Sequence, residues 1–179
     1  MSQAITIETS TADQTMSVGS AIGQACRAGD VIALQGELGA GKTQLVRGIA
    51  NGMGLDPRLV SSPTFVMVQE YEPEDGSDSP VLVHIDAYRI HSPDELETIG
   101  WSGHGEELRD NAVVAIEWAK LIRPALGDDL LWLDIEHKPD GRRISLSAQG
   151  AWQAKMQLLS ESFRDAGFEP EPSGGGAVP

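Results

Sequence analysis

Val31-Ile32-Ala33-Leu34-Gln35-Gly36-Glu37-Leu38-Gly39-Ala40-Gly41-Lys42-Thr43 decides how this chain is read. Val31 to Leu34 is a continuous apolar run, the pattern of a strand buried on both faces. A loop from Gln35 to Gly41 follows, and from Lys42 onward Leu45, Val46, Ile49, Ala50 and Met53 recur at helical spacing until Gly54. Strand, glycine loop and helix in this order satisfy Gly-x-x-x-x-Gly-Lys-Thr over residues 36–43. In that pattern small residues let successive backbone N–H groups curl around a phosphate at a helix N-terminus. The residues expected to bind the phosphates of a nucleotide are therefore Leu38, Gly39, Ala40, Gly41, Lys42 and Thr43. Lys42 brings a point charge toward the β- and γ-phosphates, and the Thr43 hydroxyl can ligate magnesium.

A phosphate loop of this kind needs an acid on a neighbouring strand, because strand ends on the carboxyl edge of a parallel sheet converge on one crevice. Two residues qualify. Asp86 ends the apolar run Val81-Leu82-Val83-His84-Ile85, and Glu117 ends Ala112-Val113-Val114-Ala115-Ile116. Ser62 and Thr64 flank Pro63, which pushes Ser62 into an extended conformation and stiffens a hydroxyl-bearing loop. That loop could sense a γ-phosphate as a switch does, and it could equally be an ordinary entry to a strand. His84 alternates with the valines of its run and could pack beside Asp86. His91, His104 and His137 have no partner at a telling spacing.

The remaining elements surround this centre. Ala4 to Glu8 alternates as a short strand, and Thr11 with Gln14 is a capping box for a helix carrying Val18, Ile22, Ala25 and Cys26 inward, with Gly29 as its cap. Phe65 to Tyr71 reads as a strand and Glu72 to Pro80 as an acidic loop. Ser92 with Glu95, and Pro93 between them, starts a helix reaching about Gly100. Leu130 to Glu136 and Arg142 to Ala148, joined across Lys138-Pro139-Asp140-Gly141, read as an antiparallel hairpin, and Trp152 to Phe163 as a helix. The fold class is α/β: a P-loop NTPase fold, mostly parallel, flanked by helices, with antiparallel strands at its edges. One domain spans residues 1–168, and the Glu, Pro, Ser and Gly of 169–179 read as a disordered tail.

Composition narrows the function. The chain has 179 residues, 13 basic against 27 acidic, for a net charge of −14. Such a field repels nucleic-acid backbones and anionic lipid, so any phosphate must be held locally. A single cysteine, Cys26, cannot pair within the chain and sits on the apolar face of its helix, as a core residue does. The first residues lack a basic segment followed by an apolar stretch, and no apolar run approaches the roughly 18 residues of a membrane span. A cytoplasmic protein with no membrane partner is expected. His137-Lys138-Pro139-Asp140 lacks the asparagine of a guanine-reading motif, and Asp86-Ala87-Tyr88-Arg89 lacks the glycine of a GTPase switch, so ATP is favoured over GTP.

Taken together, residues 36–43, Ser-Pro-Thr-Phe at 62–65, His-Ile-Asp-Ala-Tyr-Arg at 84–89 and Ile-Glu-Trp at 116–118 make the chain resemble the TsaE family, also called YjeE, from about Thr11 to Ala148. The resemblance implies a small bacterial ATPase needed to make N6-threonylcarbamoyladenosine in tRNA, at the adenosine beside the anticodon. It implies ATP and Mg2+ as cofactors and the TsaB and TsaD proteins as partners, with TsaD carrying the transfer chemistry and ATP hydrolysis resetting the complex. Carried over by motif, Lys42 and the loop amides bind phosphates, Thr43 and Glu117 ligate magnesium, Asp86 supports metal and water, and Thr11 lies near the base. Gln44 stands where the family more often has threonine, and Ala119 where proline often follows Glu-Trp. A chain this acidic is expected to reach tRNA only through its partners.

Two other classes share the phosphate loop. A small-molecule kinase needs an acceptor pocket and an arginine-bearing lid, for which Arg142 and Arg143 are the available cations. A nucleotide-sensing module would bind without hydrolysing.

Overall fold

The strand order of a single eight-stranded sheet places the glycine loop at its centre. A computed structural model describes residues 4–63, 67–74, 78–101, 103 and 105–173. The strands are β1 (Ala4–Thr9), β2 (Val31–Gly36), β3 (Val68–Tyr71), β4 (Val81–Asp86), β5 (Ala112–Glu117), β6 (Leu131–Lys138), β7 (Gly141–Ala148) and β8 (Glu171–Pro172), arranged as β3-β4-β5-β2-β6-β7-β1-β8. β4, β5, β2 and β6 run parallel. β3 joins β4, and β7, β1 and β8 continue from β6, by antiparallel pairing. The sheet is thus mixed, which corrects the expectation of a mostly parallel one. Lys138-Pro139-Asp140-Gly141 is too short a link for a crossover, so β7 has to return antiparallel, and β1 then pairs with β7 from Arg142 to Ser147.

Among the described residues, five α-helices accompany the sheet: α1 (Ala12–Ala25), α2 (Lys42–Gly52), α3 (Pro93–Thr98), α4 (Glu106–Arg109) and α5 (Trp152–Asp165). Thr11 caps α1 by accepting the Gln14 N–H at 3.1 Å, while the Gln14 side chain takes the Ser10 N–H at 2.6 Å. α1 ends at Ala25 with Cys26 as its cap, not at Gly29, which instead turns the chain into β2 with φ +93°. The strand expected from Phe65 is observed from Val68, and residues 64–66 lie outside the described residues.

β2 shows why the central strands read as continuous apolar runs. Ile32 and Leu34 join a core with α1, α2 and α5, including Ile22, Ile49 and Trp152. Val31 and Ala33 face a second core with Trp101, Ile122 and Leu126. On the first face α1 and α2 touch backbone to backbone through Gly19 and Gly23 on one and Gly48 and Gly52 on the other. A β-carbon at Gly48 would lie 2.1 Å from the Met16 carbonyl oxygen, and one at Gly23 would lie 2.2 Å from that of Ile49. The helix beginning at Thr11 and the helix beginning at Lys42 are therefore locked together at the closest separation a polypeptide permits.

The tail expected from residue 169 starts as part of the sheet. Glu171–Pro172 pairs with β1, and the Ser173 N–H donates to the Ala4 carbonyl at 3.0 Å. Residues 174–179 lie outside the described residues. Among the described residues, no helix is long and apolar enough to cross a membrane.

Candidate functional site

Gly41, at φ +108°, is the N-cap of α2 and turns the loop into the helix with no side-chain cap bond. The first amides of α2 thus lie at the mouth of the loop, where a glycine can take the left-handed conformation that this approach requires. Lys42 folds back over the loop. Its Nζ donates to the carbonyls of Gly36 at 2.8 Å and Glu37 at 3.0 Å and lies 4.0 Å from the ring centroid of Trp118. Burial holds its pKa below the usual lysine range, opposed by the charges of Glu117 and Asp86.

Asp86 and Glu117 face each other as register partners at the ends of β4 and β5, and both are buried. The Thr43 hydroxyl donates to Glu117 Oε1 at 2.7 Å. His84 Nε2 lies 2.9 Å from the same oxygen, a partner that the sequence reading does not name. Residues 84 and 86 share one face of β4, and the parallel register puts Glu117 diagonal to His84, within reach of the ring. Asp86 Oδ1 accepts the Tyr88 N–H at 2.9 Å and so caps the 3-10 turn Ala87–Arg89.

A hydroxyl and a carboxylate beside a phosphate loop are hard oxygen donors of the kind magnesium takes, usually one or two from protein with phosphate and water completing the set. Thr43 and Glu117 fit that pattern. Among the described residues there is no group of three or more His, Cys, Asp or Glu that would make a cage of side chains alone.

Thr11, the N-cap of α1, lies beside the loop. With Ser10, Gln44, Gly39, Gly41 and Arg142 it lines a cavity of about 300 Å3 that opens beside the loop. Arg142, considered above as a lid cation, is directed elsewhere: its Nε donates to the Ala40 carbonyl at 2.9 Å and its Nη2 to that of Gly39 at 3.3 Å. Arg143 pairs with Glu8 at 2.9 Å on the exposed side of β7. The sequence does carry a signal for Arg142, an arginine immediately after the hairpin glycine, but only the parallel pairing of β6 with β2 brings that turn to the loop. Ser62 is exposed in the loop preceding β3, and Thr64 lies outside the described residues. Cys26 is buried, its thiol donates to the Ile22 carbonyl, and burial pushes its pKa far up, as befits a core residue.

Comparison with known proteins gives the family. The family model for threonylcarbamoyl adenosine biosynthesis protein TsaE matches residues 9–144. The tRNA threonylcarbamoyladenosine biosynthesis protein TsaE of Bacillus subtilis is 36% identical over 152 residues, covering 84% of this chain and 88% of the relative. The protein of the same name from Aquifex aeolicus is 34% identical over 132 residues, covering 73% and 86%. The crystal structure of Bacillus subtilis YdiB superposes with a TM-score of 0.68 at 28% identity, covering 93% of this chain and 98% of that one. A match of this extent, over the loop, both acid-bearing strands and the hairpin, means that the chain belongs to the TsaE family.

Proposed function

We propose that the chain is an ATPase of the P-loop NTPase fold that supports N6-threonylcarbamoyladenosine modification of tRNA by hydrolysing ATP in complex with TsaB and TsaD, in the cytoplasm. The observation that carries this reading is the 2.7 Å bond from Thr43 at the loop to Glu117 at the end of β5. It joins the residue after the loop lysine to an acid 74 positions away in the sequence, the pairing that nucleotide hydrolysis with a divalent cation requires. The names of the relatives supply the pathway.

Each side chain then has a task set by its surroundings. Lys42 exchanges the carbonyls of Gly36 and Glu37 for phosphate oxygens, and the low polarity around its ammonium strengthens that contact. Thr43 donates its hydroxyl hydrogen bond to Glu117, so its oxygen lone pairs are left for the cation side. Thr43 and Glu117 would hold magnesium, which when bound neutralises charge on the β- and γ-phosphates. Asp86 places a second carboxylate at the same crevice to orient water. The cavity at Thr11 and Gln44 takes the nucleoside end. A net charge of −14 leaves tRNA contact to the partners.

Phosphate release from ATP tests the proposal, measured with the chain alone and with TsaB and TsaD. Slow release alone, a rise with the partners and loss of that rise in Glu117→Gln are expected. Phosphate transferred to a small acceptor would favour a kinase, and nucleotide binding with no release under any condition would favour a sensor. Tight tRNA binding by the chain alone in a low-salt filter assay would overturn the partner-mediated route.

A further inference from the structure

We infer that His84 is a positioning residue for Glu117: a fully buried imidazole that fixes one carboxylate oxygen so that the other is the one presented to the crevice. The inference rests on the reading of Glu117 as a metal-side carboxylate and adds to it the group that sets its orientation.

Three observations carry it. First, both donors that reach Glu117, His84 Nε2 at 2.9 Å and the Thr43 hydroxyl at 2.7 Å, meet the same oxygen, Oε1. Oε2 receives no hydrogen bond among the described residues, and a carboxylate held twice at one oxygen is fixed in rotation and leaves the other available. Second, His84 is 0% exposed and its Nδ1 is buried with no hydrogen-bond partner among the described residues. A proton on Nδ1 would be a buried donor without an acceptor, so the proton belongs on Nε2 and is directed at Glu117. Third, the ring stands in a strand of Val81, Leu82, Val83 and Ile85, where an aliphatic side chain would pack without burying a bare nitrogen. The bond to Glu117 is what an imidazole offers there and a leucine does not. Tyr71, its ring centroid 6.4 Å away and tilted, closes one side of the imidazole.

Groups that orient a metal-side ligand typically change metal affinity by about 10–100-fold when removed. The experiment is ADP titration by calorimetry, in excess chelator and in magnesium, of the parent, His84→Leu, His84→Gln, His84→Asn and Glu117→Gln. In His84→Leu the chelator-side affinity should stay near that of the parent while the tightening by magnesium falls by about 10–100-fold. His84→Gln, whose amide nitrogen reaches about as far as Nε2, should restore most of the tightening. His84→Asn, whose amide reaches only to the position of Nδ1, should not.

A purely structural histidine would show equal losses with and without magnesium and no distinction between Gln and Asn, and that result overturns the proposal. If His84→Leu keeps the magnesium effect while Glu117→Gln loses it, the role of His84 falls and the reading of Glu117 stands. If Glu117→Gln keeps it as well, that reading falls too. One measurement needs no variant: long-range proton–nitrogen correlation in the parent should find the imidazole proton on Nε2 and none on Nδ1, and a proton on Nδ1 overturns the proposal.

Discussion

Arg142, on the second residue of β7, holds the carbonyls of both Ala40 and Gly39, at 2.9 Å and 3.3 Å, so the turn of the β6–β7 hairpin braces the phosphate loop from outside. In a trans peptide the N–H points opposite to the C=O, so holding the Ala40 carbonyl turns the Gly41 N–H away from Arg142.

This brace makes the first prediction. Arg142→Ala should weaken ADP binding by about 10-fold, since a hydrogen bond from a charged donor contributes roughly 1.5 kcal/mol or more. Arg142→Lys should recover only part, because one ammonium lacks the planar fork that spans two carbonyls. Titration with a fluorescent ADP analogue reads both, and unchanged affinity in Arg142→Ala would mean that the loop holds its shape unaided.

Lys42→Ala should abolish partner-stimulated ATP turnover while leaving the fold intact. A lost charge-assisted contact at the transferring phosphate costs roughly 2–4 kcal/mol in the transition state. Phosphate release by the purified variant measures it, and near-parental turnover would remove Lys42 from the chemistry.

Gly48→Ala tests the close crossing of α1 and α2. The added carbon would stand 2.1 Å from the Met16 carbonyl oxygen, which belongs to backbone and cannot swing aside. Overpacking of this sort costs about 3 kcal/mol, or a fall in Tm of roughly 6–12 °C for a domain of this size. Calorimetric melting gives the answer, and a variant as stable as the parent would mean that the helices separate freely.

Asp134 gives the pH dependence. Burial raises its pKa above the usual carboxylate value, while the Trp132 indole N–H, donating at 2.9 Å, works in the other direction. Its folded pKa is therefore above its unfolded one. As pH rises through that window the unfolded chain gives up the proton first, and the Asp134 contribution to stability falls. Asp134→Asn keeps an acceptor for Trp132 and cannot ionise, so it should raise Tm at pH 7 and lose that advantage as pH drops below the carboxylate range. An equal change at both pH values would assign the effect to packing.

How far the sequence determines this structure depends on the range of the interaction. β2, α2 and the loop between them are legible because their signals are local: an apolar run, three glycines and a helical period within residues 31–54. Asp86 and Glu117 are legible as strand ends, and their pairing follows once both strands are parallel to β2. The role of Arg142 is not, since it depends on β6 lying beside β2, about a hundred residues apart in sequence, and neither is the attachment of Glu171–Pro172, which depends on β1, at the opposite end of the chain. The partner of His84 is hidden for a similar reason: alternation gives its face, but only the register of β4 on β5 gives Glu117. The glycines of α1 and α2 sit in plain view at four-residue spacing, yet either pair alone reads as a weak helix and acquires meaning only against the other.

The ammonium resting on Trp118 has an optical consequence. Lys42 Nζ lies 4.0 Å from that ring centroid, and a phosphate entering the loop would compete for the same charge. The other three indoles, Trp101, Trp132 and Trp152, are buried in the two cores and should contribute a background emission that the nucleotide does not touch. Trp118 is thus a built-in chromophore for the position of one lysine. Its emission should change as ADP is added, should stay flat in Lys42→Ala, and should let arrival of the nucleotide be timed in a stopped-flow instrument with no label attached.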